Sequence, residues 1–325
     1  MTKDRQEAPF KNILVVSSGD AVDAELFQRA AELALDPVTV VTVLHVVEPP
    51  PGLESVARVA GRASSLAMAE TRSEALKTLE SRLDRSPLSG RGQVVVRIGK
   101  PFVEIIQCAH ERTADLVIKT AESHEGVHRY LFTSTDQHLL RKCPAPVWLK
   151  TPAAQSSLKR ILVTVDIDED DAKQPETQRG LNARLIQSAA QLAHHCGARL
   201  TIVHVWDAPE EKFLRRWLPD GSDADVYVHK VWESRIAALD LLTTSAALED
   251  VEGPEKRLER GDPKVVIPEL VRSLQVDLLV MGTIARMGVP GFIIGNTAED
   301  ILNSVECSVM TVKPPGYISP VTPTD

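Results

Sequence analysis

The sequence contains few cysteines and no pattern that would organise them. Four cysteines occur in 325 residues, widely spaced and without a C-x-x-C pair. Such spacing is typical of reduced thiols and argues against a disulfide framework. The four are Cys108, Cys143, Cys196 and Cys307.

Long apolar runs are also lacking, and so is an apolar segment near the start. No uninterrupted apolar run reaches the roughly 18 residues that a membrane-spanning helix needs. The segment MTKDRQEAPFK at residues 1–11 has no apolar core and does not resemble a signal peptide. These absences predict a cytoplasmic protein without a membrane span.

Positive charge is not in excess. The chain has 37 Lys and Arg against 45 Asp and Glu, a formal net charge of −8. An acidic balance argues against general nucleic-acid binding and against an anionic membrane surface. With 43% hydrophobic and 25% charged residues, the composition is typical of a folded protein, and the length suffices for two domains.

The chain alternates between strand-like and helix-like segments. Apolar residues at helical spacing cover residues 21–35, and a β-branched run covers residues 38–47. Such alternation predicts a parallel sheet with right-handed crossovers, whose ligands bind beyond the carboxyl ends of the strands. Further strands are predicted at 11–16, 93–98, 115–119 and 147–150, and further helices at 53–83 and 102–111.

The same order of segments occurs twice. Lys11-Asn12-Ile13-Leu14-Val15 matches Lys159-Arg160-Ile161-Leu162-Val163, and the later segments match in the same order. Because the repeated unit is a whole domain, the pattern indicates a duplication. We predict an α/β fold of two tandem doubly wound domains, each with a five-stranded parallel sheet. The predicted boundaries are 1–10 for a disordered lead-in, 11–150 for the first domain, 151–157 for a linker, 158–314 for the second domain and 315–325 for a tail.

A glycine-rich stretch in the second half is the first candidate for a ligand site. It follows a predicted strand that ends at Met281. Glycines let a ligand approach the backbone, and N–H groups at a helix start attract anions. Spacing alone leaves anion binding and a structural turn equally open. Asn296 or Thr297 is predicted to cap the next helix. The glycines are Gly282, Gly288, Gly291 and Gly295.

These residues resemble the universal stress protein family in its tandem two-domain form. The resemblance covers about residues 10–150 and 158–314, and the stretches 281–291 and 295–299 are similar to a tandem bacterial subfamily. It implies a Rossmann-like fold whose two halves pack as a pseudo-dimer. It also implies a stress-response protein that binds a small ligand and acts by interaction, not as an enzyme. The alternative is weak ATP hydrolysis or self-phosphorylation at residues 282–297.

The resemblance also implies where the ligand lies. Asp166 matches the family aspartate that contacts the nucleoside, and Val205 matches the residue that lines the adenine pocket. The family motif for ATP has a glycine, two residues, a second glycine, nine residues, then glycine with serine or threonine. Here Ala285 and Asn296 depart from it. The candidate ligand-binding residues are Asp166, Ile167, Val205, Met281, Gly282, Ala285, Arg286, Gly288, Gly295, Asn296 and Thr297.

The expected ligand is a small anion, an ATP- or AMP-like nucleotide with magnesium in the second half. No cofactor is certain, and protein partners or self-association are expected. An acidic segment at residues 168–171 would repel a polyphosphate.

The first half departs further from the family motif. Ser18 stands in the place of Asp166, and the glycine positions hold other residues. Backbone approach to a phosphate is then obstructed, so we expect this half not to bind ATP in the family manner. A polar crevice for another ligand is the alternative. The replacing residues are Thr120, Ser123, Thr133 and Ser134.

A metal site is not expected. Residues 124–128, HEGVH, match the H-E-x-x-H zinc pattern, which needs a helix so that both imidazoles share a face. Gly126 weakens any helix there, and no third ligand is evident. His45 and His204 occupy matched strand ends, where we expect them to satisfy local hydrogen bonds.

The second half carries an extra segment at residues 212–218, KFLRRWL. Its apolar residues could share one helical face, with Arg215 and Arg216 outside. We predict a helix packed on its own domain. The alternatives are a lid over the ligand crevice and a surface for a partner. The apolar residues are Phe213, Leu214, Trp217 and Leu218.

Overall fold

A computed structural model of the chain describes residues 9–20, 22–34, 36–49, 62–121, 133–151, 157–167, 176–217, 222–245, 248, 253–283 and 295–321. Contacts divide these residues into two units. The first contains residues 9–151 and 317–321, and the second contains 157–283 and 295–316. The predicted pseudo-dimer and the domain boundaries stay predictions.

The first domain alternates strands and helices around one parallel sheet. The strand order is β3-β2-β1-β4-β5, and neighbouring strands run parallel. The order reverses between β1 and β4, as the doubly wound prediction requires. The elements are β1 Asn12–Ser17, α1 Asp23–Leu33, β2 Val40–Val47, α2 Arg62–Asp84, β3 Gly92–Ile98, α3 Pro101–Glu111, β4 Leu116–Thr120, α4 Ser134–Lys142 and β5 Val147–Lys150.

Among the described residues, the second domain repeats this arrangement with one added helix, α6. Its strand order is β8-β7-β6-β9-β10, again parallel, with the reversal between β6 and β9. The predicted α/β class and doubly wound sheets are therefore confirmed. The elements are β6 Arg160–Val165, α5 Glu176–Cys196, β7 Arg199–Trp206, α6 Glu211–Trp217, α7 Ser222–Ser245, β8 Glu255–Arg260, α8 Pro263–Ser273, β9 Leu278–Gly282, α9 Asn296–Leu302 and β10 Ser308–Val312.

An aspartate at the equivalent position of each domain links β4 to β1 in the first domain and β9 to β6 in the second. The Asp115 carboxylate accepts from the backbone N–H of Lys11 at 2.7 Å and of Asn12 at 3.0 Å. Asp277 accepts from Lys159 and Arg160, both at 2.8 Å. The central strands that follow are buried runs of Val, Ile and Leu, as expected for a parallel sheet covered on both faces.

Two histidines make the same hydrogen bond in the two domains. His45 Nδ1 lies 3.0 Å from the Ser17 carbonyl oxygen, and His204 Nδ1 lies 3.1 Å from that of Val165. Since a carbonyl oxygen only accepts, Nδ1 carries the proton in both rings. These contacts confirm that the matched histidines satisfy local hydrogen bonds. Counting back from the matched histidines without a gap places Asp23–His45 of the first half opposite Asn182–His204 of the second.

The added segment forms a helix, but two aromatic residues of its apolar face are exposed and do not pack on the domain as predicted. Helix α6 has no buried residue, and Phe213 and Trp217 are 60% and 66% exposed. The helix is attached to its domain through charged side chains. Arg215 donates to Glu211 at 2.9 Å and to Asp225 of α7 at 2.6 Å. Leu218 lies outside the described residues.

Within the described part of the chain, none of the helices combines the length and apolarity needed to cross a bilayer.

Candidate ligand-binding site

A cavity of about 490 Å³ opens in the second domain where β6, β7 and β9 end. Seven of the predicted residues line it, drawn from the ends of β6, β7 and β9 and from the start of α9, which are far apart in sequence. Residues of α5 and α8 complete the wall. The predicted residues that line the cavity are Asp166, Val205, Met281, Gly282, Gly295, Asn296 and Thr297.

The four other predicted residues are not among the described residues that line this cavity. Ile167 is only 2% exposed, and its side chain lies in the core. Ala285, Arg286 and Gly288 lie outside the described residues, as do the acidic residues 168–171 and the H-E-x-x-H segment. Ligand binding by all these residues stays a prediction.

The main chain of Asp166 is held by the side chain of Asn182. Asn182 Nδ2 donates to the Asp166 carbonyl oxygen at 2.7 Å, and its Oδ1 accepts from the Asp166 N–H at 3.2 Å. Asn182 is 1% exposed, so neither contact is shared with bulk water. Sequence reasoning missed Asn182. The gapless correspondence that pairs it with Asp23 is the signal that could have found it.

A buried arginine supports the next residue of the same loop. Arg235 of α7 is 8% exposed, and its Nη1 donates to the Ile167 carbonyl oxygen at 2.7 Å. Hydrogen bonds from charged donors are stronger than those between neutral groups. Asn182 and Arg235 therefore hold two consecutive peptide groups where the loop forms the cavity wall. No sequence pattern indicated this role, because Arg235 lies 68 residues after Ile167 in the chain.

The other wall is the start of α9. Gly295 is the N-cap residue, and α9 has no side-chain cap hydrogen bond. The prediction that Asn296 or Thr297 caps this helix is wrong, because both are already helical. The Gly295 N–H donates to the Thr283 carbonyl oxygen at 3.2 Å. No described side chain therefore competes with a ligand for the first-turn amides.

The charges of the described cavity residues are negative. Asp166 and Asp207 are the charged residues in the described lining, and no lysine or arginine accompanies them there. Gln178 and Asn182 add neutral amide groups. Such a lining favours a ligand rich in hydroxyl and amino groups over one with several negative charges.

The corresponding loop of the first domain is occupied by an internal carboxylate. Asp23, 2% exposed, accepts from the Ser17 hydroxyl at 2.6 Å and from the backbone N–H groups of Ser18 at 3.0 Å and Gly19 at 3.1 Å. Gly19 has φ +85°, and a Cβ there would lie 2.8 Å from His45 Cε1. The turn is therefore tight and restricted to glycine.

The start of α4 in the first domain is closed in the same way. Thr133 and Asp136 form a capping box, and Asp136 also lies 3.0 Å from Lys119 Nζ. Both charged groups are buried. The second domain has Met281, Gly295 and Ala298 at the matched positions. The first domain thus supplies its own charges where the second has a cavity.

The chain matches the universal stress protein family over residues 9–149 and 157–313. It belongs to the universal stress protein family. Universal stress protein E of Salmonella typhi is 32% identical over 229 residues, covering 70% of this chain and 70% of that protein. Universal stress protein E of Escherichia coli has the same identity over the same length, covering 70% and 69%. The predicted family is therefore confirmed.

Two solved structures resemble the chain over nearly its whole length. A functionally unknown protein from Pseudomonas aeruginosa has a TM-score of 0.67 and 21% identity, covering 94% of this chain and 93% of that one. A universal stress protein from Archaeoglobus fulgidus has a TM-score of 0.59 and 17% identity, covering 94% and 99%. At such identities the likeness supports the tandem fold alone.

Proposed function

We propose that this protein is a cytoplasmic stress-response protein that binds one small, nucleotide-like ligand in its second domain. It acts through binding and protein interaction, without turnover. The observation that carries the proposal is the difference between the two halves. The second domain has a cavity of about 490 Å³ at the end of its sheet, and the first fills the matched places with Asp23 and the Lys119–Asp136 pair.

The cavity has an apolar part and a polar part, which suits a nucleoside. Val203, Val205 and Ile267 offer apolar surface for a planar base. The Asp166 carboxylate accepts hydrogen bonds from ribose hydroxyls, and its position is fixed through Asn182. Small ligands are commonly bound in this way, by apolar walls with a few placed polar groups.

The phosphate end would lie against Gly282 and the first turn of α9. These amides offer donors to an anion, but the described lining contains no cationic side chain to neutralise several charges. A nucleoside monophosphate therefore fits better than a triphosphate. ATP would need magnesium to offset its charge beside Asp166 and Asp207.

Isothermal titration with AMP, ATP and ATP with magnesium tests the proposal. We expect one site per chain and tighter binding of AMP than of magnesium-free ATP. Asp166→Ala should abolish the binding heat, and Ser18→Ala, the matched change in the first domain, should leave it unchanged. Two equivalent sites per chain, or no heat with any of the three nucleotides, would contradict the proposal.

Measurement of product separates binding from the enzymatic alternative. Incubation with radiolabelled ATP and magnesium should yield neither free phosphate nor labelled protein above a blank. Phosphate release that disappears in Asp166→Ala would replace the proposed role with weak ATP hydrolysis, and labelled protein would replace it with self-phosphorylation.

A further inference from the structure

Helix α6 carries two aromatic side chains that face solvent. Phe213 is 60% exposed and Trp217 is 66% exposed, and they lie one helical turn apart with ring centroids separated by 6.0 Å. No residue of the helix is buried. Large exposed aromatic groups of this kind often mark an interaction surface.

The outward direction of these rings is fixed by ion pairs on the other side of the helix. Glu211 pairs with Arg215 one turn later and with Arg260 at the end of β8. Arg215 also reaches Asp225 of α7 at 2.6 Å. The charged contacts therefore attach α6 to the domain and leave its two aromatic rings exposed.

Two basic residues accompany the exposed rings. Lys212 precedes Phe213 and Arg216 precedes Trp217, and both cations are exposed. Neither forms an ion pair with a described residue, whereas Arg215 between them has two. Together these residues form the α6 stripe, defined as Lys212, Phe213, Arg216 and Trp217. It is a basic and aromatic surface on a chain with a net charge of −8.

We propose that the α6 stripe docks an acidic, apolar segment of another protein. The aromatic rings supply two anchors at i and i+4, the spacing by which a helix enters an apolar groove or packs on a partner helix. The neighbouring cations select carboxylates on the partner and steer its approach. This docking does not depend on the ligand cavity.

A second copy of this chain fits the stripe less well. In a two-fold dimer the same surface of both copies meets, so Lys212 and Arg216 would face their own equivalents. Like charges brought together in this way oppose association.

An anionic membrane also fits less well. A flat surface would meet the acidic residues around the stripe as well as the stripe itself, and the exposed Glu210 lies directly before α6 on this acidic chain. A narrow peptide segment contacts only the stripe and avoids that repulsion.

Selection of peptides from a random displayed library against the full-length protein tests the docking surface. We expect the enriched peptides to be acidic and apolar. Fluorescence anisotropy of an enriched labelled peptide should show a loss of affinity of about tenfold or more for Phe213→Ala and for Trp217→Ala, as for interface anchors. Arg216→Glu should weaken binding and reduce its salt dependence.

Leu241→Ala is the matched control, since Leu241 is 62% exposed on α7 outside the stripe. It should leave peptide affinity unchanged. Circular dichroism checks that each variant stays folded, which is expected because the changed side chains are exposed. Enriched peptides that are not acidic, or that bind Trp217→Ala normally, would overturn the proposal.

Two further measurements test whether a second copy of the chain or an anionic membrane binds the α6 stripe instead. Light scattering that detects a dimer lost in Trp217→Ala would assign the stripe to a second copy. Sedimentation with phosphatidylglycerol vesicles that is lost in Trp217→Ala would assign it to a membrane surface. Either result would overturn the proposal.

Discussion

Lys119 and Asp136 form a buried ion pair in the first domain, with 3.0 Å between Nζ and Oδ1, where the second domain has Met281 and Ala298. Both members of the pair are therefore replaced together between the two halves. Asp136 is completely buried, so its charge depends on Lys119 for compensation.

We expect Lys119→Met alone to be strongly destabilising. It leaves the Asp136 carboxylate buried beside an apolar side chain, a change that typically costs about 3–5 kcal/mol. The double variant Lys119→Met with Asp136→Ala, which copies the second domain, should recover much of that loss. Urea unfolding followed by circular dichroism measures the coupling. A double variant that is no more stable than Lys119→Met would contradict the compensation argument.

Asn182→Asp should weaken ligand binding although the side chain keeps its shape. A carboxylate cannot donate to the Asp166 carbonyl oxygen, so the contact of 2.7 Å becomes repulsive. Asp23→Asn is the reciprocal change in the first domain and should leave the titration with AMP unchanged, with some loss of stability. Equal effects of the two variants on AMP binding would show that the site is not confined to the second domain.

Gly295→Thr should reduce ligand affinity with little effect on stability. Threonine and glycine are about equally favourable at an N-cap, and the backbone angles of Gly295, φ −59° and ψ 138°, suit either residue. The new hydroxyl would accept from the first-turn amides that the ligand is expected to use. Thr133→Gly is the matched control. An unchanged affinity in Gly295→Thr would exclude those amides from the site.

The four cysteines should differ sharply in reactivity. Burial raises the pKa of the Cys307 thiol to about 12, and burial also raises the pKa of Cys108. Cys143 is buried as well, whereas Cys196 is partly exposed. At pH 8, Ellman's reagent should modify one thiol quickly in the native protein and all four in guanidinium chloride. The fast phase should disappear in Cys196→Ser, and its persistence would contradict the assignment.

His138 should make the first domain less stable at mildly acidic pH. Burial, together with the nearby cations Lys142, Lys100 and Arg141, lowers the pKa of His138 in the folded state. The unfolded chain therefore binds the proton more readily, and stability falls as pH drops through about 6.5. Above that pH the ring is neutral in both states and the effect is absent. The difference in unfolding free energy between wild type and His138→Gln should change between pH 7.5 and pH 5.5, and a constant difference would contradict the prediction.

The sequence predicted the strands and the duplication well, because buried parallel strands are continuous apolar runs that occur twice in the same order. It also predicted that Asp166 and Gly282 would come near one another, since the carboxyl ends of neighbouring parallel strands meet at one edge, and the family resemblance added Val205. It missed two kinds of feature: the direction in which a helix face points, and contacts between residues that are far apart in the chain. Periodicity showed that Phe213 and Trp217 share a face, but the ion pairs of Glu211 and Arg215 decide which way that face points.

The supports of the cavity loop were missed for a related reason. Asn182 and Arg235 act on the backbone of Asp166 and Ile167 from helices that follow 16 and 68 residues later. Such contacts leave no local pattern in the chain. Ile167 was also named as a ligand-binding residue, but its side chain lies in the core.

The hydrogen bonds of His45 and His204 end on Ser17 and Val165, the last residues of β1 and β6, directly before the loops that contain Ser18 and Asp166. Each bond ties the end of one strand to its neighbour before the loop begins, whatever residues follow. Because this hydrogen bond involves only strand residues, the loops that follow can differ in sequence between the two domains while the strand pairing stays the same. The first domain has a loop closed by Asp23 after this hydrogen bond, and the second has an open cavity at the matched place.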